Sequence, residues 1–515
     1  MASITAGPEF HDAPPPGFSS ASIIAQDAPA LHGLHHEAPQ LHIYTASTAD
    51  YETLNRVNDR SVTIPPVATV RPTNEKEVST TVRYIAQNGL TLAIRNSGVD
   101  QGGRNIAFGP KDVSLDVRSL DKIVLSADRS EVTIGGGVIG GKLLKFLDDH
   151  ELTTPTAFSS AVGYVGWACG GGYSSLNGIM GLGVDNILGG RVVLADGRIM
   201  DTDEAGCDPD LLWALRGGGA GLVGVVASLR VRVYRRPDCL AGNIIFPLSE
   251  APQIARQLNE LYAWKKPSKF AGDVAVIDPT GGGAIFSFLF FWALEEDRSD
   301  LEEAKEYLER VLKFGTVIAN TAQESEFKFT APFLIGSTGN TDRRIATPHQ
   351  FLVSIPQPPL YGELIHFRLT ASVPGWSEEL GRIISEPMPT SASLIIMHDS
   401  HGAGTRASGL SAAESAVFSN REPHLMWGFF AAAPPDDEEG LKKSQAWAHR
   451  LNENVTKAGL VMPTRYINFA HPFKGDGFGY YGAQGLARIK AIKGRLDPLN
   501  LFIKNTPDLS ETLSA

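Results

Sequence analysis

Three groups of residues in this sequence are equipped for chemistry. Tyr466 and Asn468 flank Ile467, so on an extended segment they share one face and leave Ile467 to packing. A phenol and an amide on one face suit proton relay and polar anchoring of a ligand. His398 and His401 flank Asp399 in MHDSHGAG, after a strand-like run, and His366 lies mid-strand in LIHFRL. A general base must sit within ~3 Å of the proton it takes, and His398 is the first candidate. The third group is backbone. Gly163, Gly166, Gly170, Gly171, Gly172, Gly178, Gly181 and Gly183 crowd the stretch VGYVGWACGGGYSSLNGIMGLGVDNI. Glycine at that density costs entropy and is expected where the chain turns sharply or touches something. A large, flat, anionic ligand lying on backbone amides accounts for it.

The elements around these groups read as mixed α and β. Ile64 to Arg71 is a predicted strand, and Asn74 with Glu77 three residues on is a capping-box signal. Val78, Val82 and Ile85 recur at helical spacing before Asn88-Gly89, and Leu92 to Arg95 is the next strand. This β-α-β unit delivers the chain to the turn RNSGVDQGGRN at a strand's C-terminal end, where open α/β sheets bind ligands. Val113 to Val117, Ile123 to Leu125 and Val132 to Ile134 alternate as strands, and Asp196-Gly197 is a hairpin turn. After Pro237 the pattern changes. IIFPL, VAVID, AIFSFLFFWAL, LIHFRLTASV, SLIIMHDS and HLMWGFFAAA read as strands. SEAPQIARQLNELYAWKK, RSDLEEAKEYLERVLKFG (Asp300 as cap) and Glu438 to Lys457 read as helices. An antiparallel sheet with helices on one face fits that mixture.

The order of glycine run, VLADG turn and DLLWALRGGG before an apolar strand resembles the FAD-binding domain of the vanillyl-alcohol-oxidase type, and in particular the berberine-bridge-enzyme-like FAD-linked oxidoreductases. The resemblance spans roughly Ser61 to Tyr234 and returns as YINFAHPF and YYGAQGLARIKAIKGRLDPLNLF. It implies an α+β fold: a PCMH-type FAD-binding domain of two subdomains (61–238), a substrate domain with a helix-covered antiparallel sheet (239–460) and a C-terminal segment returning to the FAD domain (461–515). Residues 1–60 are expected to be an irregular extension, with His32, His35 and His36 completing no metal site.

The resemblance also implies site residues. Arg95, Asn96, Ser97, Gly98, Val99, Asp100 and Gly102 form the turn that would wrap the FAD pyrophosphate with backbone amides, a nest that needs no lysine. Gly163, Gly166, Gly170, Gly171 and Gly172 would pass along the flavin, and Val225 would contact the adenine end. Tyr466 and Asn468 match the family's Tyr-x-Asn signature beside the isoalloxazine, whereas Phe469 and His471 depart from its usual tyrosine and aspartate. The family's tethering histidine falls on Val99 and its second tethering cysteine on Ser159, so the FAD is expected to be held without a covalent bond.

The implied activity is oxidation of a small organic molecule, in specialised metabolism, by hydride transfer to flavin N5 with molecular oxygen as acceptor. The missing tethers leave open a non-redox cyclase or isomerase on the same fold. A net charge of −11 with interspersed signs argues against nucleic-acid or anionic-membrane partners. Cys169, Cys207 and Cys239 lack metal-like spacing. No secretory signal is visible at the N-terminus, so a cytoplasmic location is expected.

Overall fold

The computed structural model describes residues 17–57, 59, 64–100, 109, 111–279, 281–326, 364–405, 416–470, 472 and 474–510. Among them, three larger sheets organise the chain.

The first sheet has the order His42–Tyr44, Ala68–Arg71, Asp112–Asp116, Thr91–Arg95. Its last three strands are parallel, and His42–Tyr44 joins antiparallel. The helix Glu75–Gln87 crosses over between two of them. Asn74 Oδ1 caps it by accepting from the amides of Lys76 and Glu77, both at 3.1 Å. The Glu77 carboxylate reaches one residue further back than a capping box requires and accepts from Thr73 N at 2.7 Å. Val78, Val82 and Ile85 are fully buried.

The second sheet is antiparallel, in the order Ile123–Leu125, Glu131–Gly135, Val225–Arg232, Ile187–Val193, Ile199–Asp201. Asp196-Gly197 closes the turn between its last two strands, with Gly197 at φ 84°. Val193, Val225 and Ala227 share one core with Val70, Leu92 and Leu115 of the first sheet. The opposite face buries Val132, Ile134 and Leu229 against Trp167, Trp213 and the C-terminal helix Asp476–Leu496.

The third sheet is antiparallel throughout, in the order Ala319–Asn320, Asp238–Pro247, Ile285–Ala293, Phe270–Ile277, Leu394–Ser400, His424–Ala433, Ile365–Val373. Gln323–Glu326 also pairs with Asp238–Pro247. Strand period decides what each face does. On Ile285–Ala293, Phe286, Phe288, Phe290 and Trp292 all enter the core beneath the helices Ala251–Trp264, Leu301–Val311, Glu378–Ile384 and Glu438–Lys457. Each such ring contributes about 1.5–3 kcal/mol by leaving water. Ser287 and Leu289 point the other way, into the ligand cleft described below. Asp300 precedes the helix Leu301–Val311 but does not cap it; its carboxylate accepts instead from Trp292 Nε1, Glu295 N and Lys269 Nζ.

The N-terminal segment corrects one expectation. From residue 17 it is ordered rather than irregular, with helices Ala21–Asp27 and His32–Glu37 before the strand His42–Tyr44. Ile24, Leu31, Leu34, Leu41 and Ile43 are fully buried in the first sheet's core. Proline and histidine content hid this apolar spacing. Among the described residues no helix is long and apolar enough to cross a membrane.

Candidate active site

A long cleft runs between the first two sheets and the bare face of the third. Its base is the turn after the parallel strand Thr91–Arg95, where Gly98 takes φ 79°, a conformation that favours glycine. Arg95 does not offer its charge to the cleft. It donates to the carbonyls of Leu54 at 2.5 Å and Arg56 at 2.6 Å, bracing the turn against the N-terminal segment. Burial, with Arg118 close by, lowers its pKa to about 9. Asn96 Nδ2 donates to Gly136 O at 2.8 Å, and Ser97 Oγ accepts from Gly163 N at 3.2 Å. Val99 and Asp100 complete the wall, while Gly102 lies outside the described residues.

The glycine run divides into two functions. Gly163 and Gly166 line the cleft. A Cβ on Gly166 would meet no atom within 4 Å, so its bareness keeps the cleft open. A Cβ on Gly163 would lie 2.7 Å from Asn96. Gly170, Gly171 and Gly172 do not line the cleft, contrary to expectation. They make room for protein: a Cβ would fall 2.3 Å from Asn468 Oδ1, 2.6 Å from Phe418 and 2.7 Å from Gly183 respectively. Val225 is likewise misassigned. It pairs with Val193 and is fully buried in the core, and its neighbour Val226 lines the cleft, as strand alternation requires.

Tyr466, Asn468 and His398 all line the cleft. The Tyr466 segment is a turn rather than extended, closed by Phe469 N to Tyr466 O at 3.1 Å. Even so, Asn468 Nδ2 donates to Tyr466 Oη at 3.0 Å, and Ile467 packs in the core. Burial pushes the Tyr466 phenol up to about 12 against the lowering effect of Asn468, so it is not a depressed-pKa base. His398 is 6% exposed and stacks on Phe158 at 4.7 Å. The side chain of His366 and all of His471 lie outside the described residues.

One pair escaped the sequence reading. Tyr173, which follows Gly172 and lines the cleft, is hydrogen-bonded through its hydroxyl to His424 Nε2 at 2.7 Å. His424 Nδ1 stands 2.7 Å from Glu422 O, which can only accept. Nδ1 therefore carries the proton, Nε2 is bare, and the Tyr173 hydroxyl donates to it. Burial holds His424 down to about 4 and raises Tyr173 well above the usual phenol range. The Tyr173 ring sits edge-on to Tyr466 at 4.8 Å. The aromatic directly after three glycines was the available signal; His424, opening an apolar strand, gave none. Asn243 and Asp273, also in the wall, were visible only as polar residues in apolar strands.

The donor set fits a dinucleotide that carries a flat ring. Asn96 Oδ1 and Ser159 Oγ are buried in or beside the cleft without a hydrogen-bond partner. The turn after Thr91–Arg95 lines the cleft, and a Cβ at Gly166 would meet no atom within 4 Å. Among the described residues no lysine lines the cleft. Fold and cleft thus define a two-part α+β protein whose sheets enclose a ligand cleft. A profile of the FAD binding domain matches residues 66–203. FAD-linked oxidoreductase aurO of Gibberella zeae is 32% identical over 98% of this chain and 92% of its own. (R)-6-hydroxynicotine oxidase of Paenarthrobacter nicotinovorans is 35% identical over 38% of this chain and 43% of its own. Among solved structures, 6-hydroxy-D-nicotine oxidase of Arthrobacter nicotinovorans superposes with a TM-score of 0.74 at 21% identity, covering 91% of this chain and 98% of that one. A berberine bridge enzyme variant gives 0.75 at 16% identity, covering 94% and 98%. The chain belongs to the FAD-linked oxidoreductases and binds FAD.

Proposed function

We propose that the protein is an oxidase of a small, largely apolar organic molecule in specialised metabolism, with molecular oxygen as the final electron acceptor. The aromatic and aliphatic walls of the cleft, among them Phe158, Leu289, Ile396 and Phe430, support a flat hydrophobic substrate over a carbohydrate. The related (R)-6-hydroxynicotine oxidase is an oxidase of a small heterocycle by its name, and this favours the same reaction class. Bound FAD supplies the hydride acceptor, at its N5.

The observation that carries the mechanism is the hydrogen bond from Tyr173 to His424 in the cleft wall. As the substrate loses hydride, its acidic O–H or N–H must lose a proton. Tyr173 Oη takes that proton while passing its own to His424 Nε2, and Glu422 O, accepting from Nδ1–H, steadies the imidazolium only for the duration of the transfer, since burial disfavours its charge. Tyr466, kept neutral by burial, fixes the edge of the Tyr173 ring, and Asn468 fixes Tyr466. The carbon skeleton of the substrate is held by the apolar walls, which exclude water from the transfer. Tyr173→Phe removes only the hydroxyl. Anaerobic flavin reduction should slow by ~100-fold or more with FAD content unchanged, in the range of general acid–base catalysis. Tyr466→Phe should slow it by less than ~10-fold. Equal losses in the two variants would move the proton acceptor away from Tyr173. A non-redox cyclase would leave the flavin oxidised when its substrate is added without oxygen, so bleaching separates the two readings.

A further inference from the structure

The hydrogen bond from Tyr173 to His424 joins two distant stretches of chain, and a second tie joins the same two. On the Tyr173 side, the turn Gly183–Asn186 is bonded to the backbone just before Tyr173. Gly183 N donates to Gly172 O at 2.8 Å, and Val184 N donates to Gly171 O at 3.0 Å. Asp185 belongs to that turn, and its Oδ2 accepts from Leu182 N at 2.8 Å. On the His424 side, Arg421 comes shortly before His424 and directly before Glu422. Its guanidinium crosses to Asp185 as a fork, Nη1 to Oδ2 at 2.9 Å and Nη2 to Oδ1 at 2.7 Å. Both side chains are largely buried, at 8% and 14% exposed. Neighbouring ties run elsewhere: Phe418 N donates to Arg216 O, Ser419 Oγ to Tyr480 O and Asn420 Nδ2 to Ser372 Oγ. Sheet register places His424 opposite Ser400, but Tyr173 lies on no strand or helix, so register does not set the distance between the two.

We infer that Arg421 is the positioning residue of the proton relay: through Asp185 it fastens the stretch that carries His424 to the stretch that carries Tyr173. The inference rests on the Tyr173–His424 pair being the route of the proton. That route needs the separation of 2.7 Å between Tyr173 Oη and His424 Nε2, and little slack separates it from the ~3.2 Å at which such a bond weakens. The clamp acts on the other end of the imidazole as well. Glu422, whose carbonyl accepts from His424 Nδ1–H and so fixes the tautomer, is the residue next to Arg421. A planar guanidinium meets a carboxylate through two parallel bonds and sets angle as well as distance, which a lysine ammonium cannot do. Little water reaches the pair, so solvation does not replace the fork when one partner is removed. Arg421 does not line the cleft, and it therefore acts through Tyr173 and His424 rather than on the reacting atoms.

Nitrogen NMR of the FAD-loaded protein carrying isotope-labelled histidine tests this without a substrate. The His424 Nε2 signal is assigned by its loss in His424→Gln, and Tyr173→Phe shows where it stands when no hydroxyl donates to it. In the native protein the signal should stand apart from the Tyr173→Phe position. In Arg421→Met, and in the milder Arg421→Lys, which keeps the charge but not the fork, it should move toward that position while flavin absorbance stays native. Arg191→Met removes a different fork, to Glu75, and should leave the His424 signal at its native place. A signal unmoved in both Arg421 variants, or moved equally in Arg191→Met, would overturn the clamp and leave the relay standing. A native signal already at the Tyr173→Phe position would overturn the relay together with the clamp.

Discussion

At the scale of single residues, the active-site wall is made of groups whose ionisation burial controls. His424 is the clearest case. Its unfolded imidazole titrates near ~6.5, whereas burial holds it at about 4 in the fold. Between those values the unfolded chain binds a proton that the folded chain refuses. Stability should therefore rise with pH across this window and be lost as pH falls from ~6.5 toward 4. Urea denaturation at a series of pH values should show that slope in the native protein and a shallower one in His424→Gln. Parallel curves would locate the slope elsewhere. Val99 and Ser159 make a second residue-scale prediction. Neither offers the imidazole or thiol that tethers flavin, and Cys169, buried with its thiol pushed up to about 12, lies in the core rather than the cleft. Acid precipitation should release all the FAD into the supernatant, and flavin mass remaining on the denatured chain would refute this.

At the scale of elements, glycines that look alike in the sequence do opposite work. Gly166 lies in the helix Tyr164–Cys169 with open space where a side chain would be. Gly170 follows that helix and is pressed against Asn468. Gly166→Leu should fold, gaining about 0.5–1 kcal/mol of helix propensity, yet lose FAD by ~10-fold or more in retained occupancy as the side chain fills the cleft. Gly170→Leu should be destabilised, since the Asn468 amide must leave its place beside Tyr466 Oη. Thermal melting and flavin absorbance together distinguish these outcomes; a yellow, native-like Gly166→Leu protein would mean that no ligand approaches there. The two-residue period of the third sheet divides function in the same way. Phe286, Phe288, Phe290 and Trp292 build the helix-covered core, whereas Ser287 and Leu289 face the cleft and Phe291 and Ala293 the segment at Leu176, so a single strand serves both the core and the cleft wall.

At the scale of the whole molecule, residues 17–57 belong to the FAD-binding half. Leu34 is fully buried in its core, and the carbonyls of Leu54 and Arg56 hold the Arg95 guanidinium that braces the turn after Thr91–Arg95. Leu34→Ala should cost about 2–5 kcal/mol, and a chemical-denaturation midpoint unchanged by the substitution would show this layer to be dispensable. The far end of the chain closes the same turn. Asn505 bonds the backbone of Ile94 through both its amide groups, at 3.1 Å and 3.3 Å. The sequence by itself determined the β-α-β unit and the turn at Arg95 to Asp100, because local period and capping are properties of neighbouring residues, and its resemblance to a known family implied the class of fold and the cofactor. It also marked Tyr466 and Asn468 as partners, two positions apart. Which glycines face the ligand and which face protein, Val226 over Val225, and the meeting of Tyr173 with His424 some 251 positions away were decided only by tertiary structure. Those contacts depend on which faces three sheets turn toward one another, and no spacing along the chain encodes that.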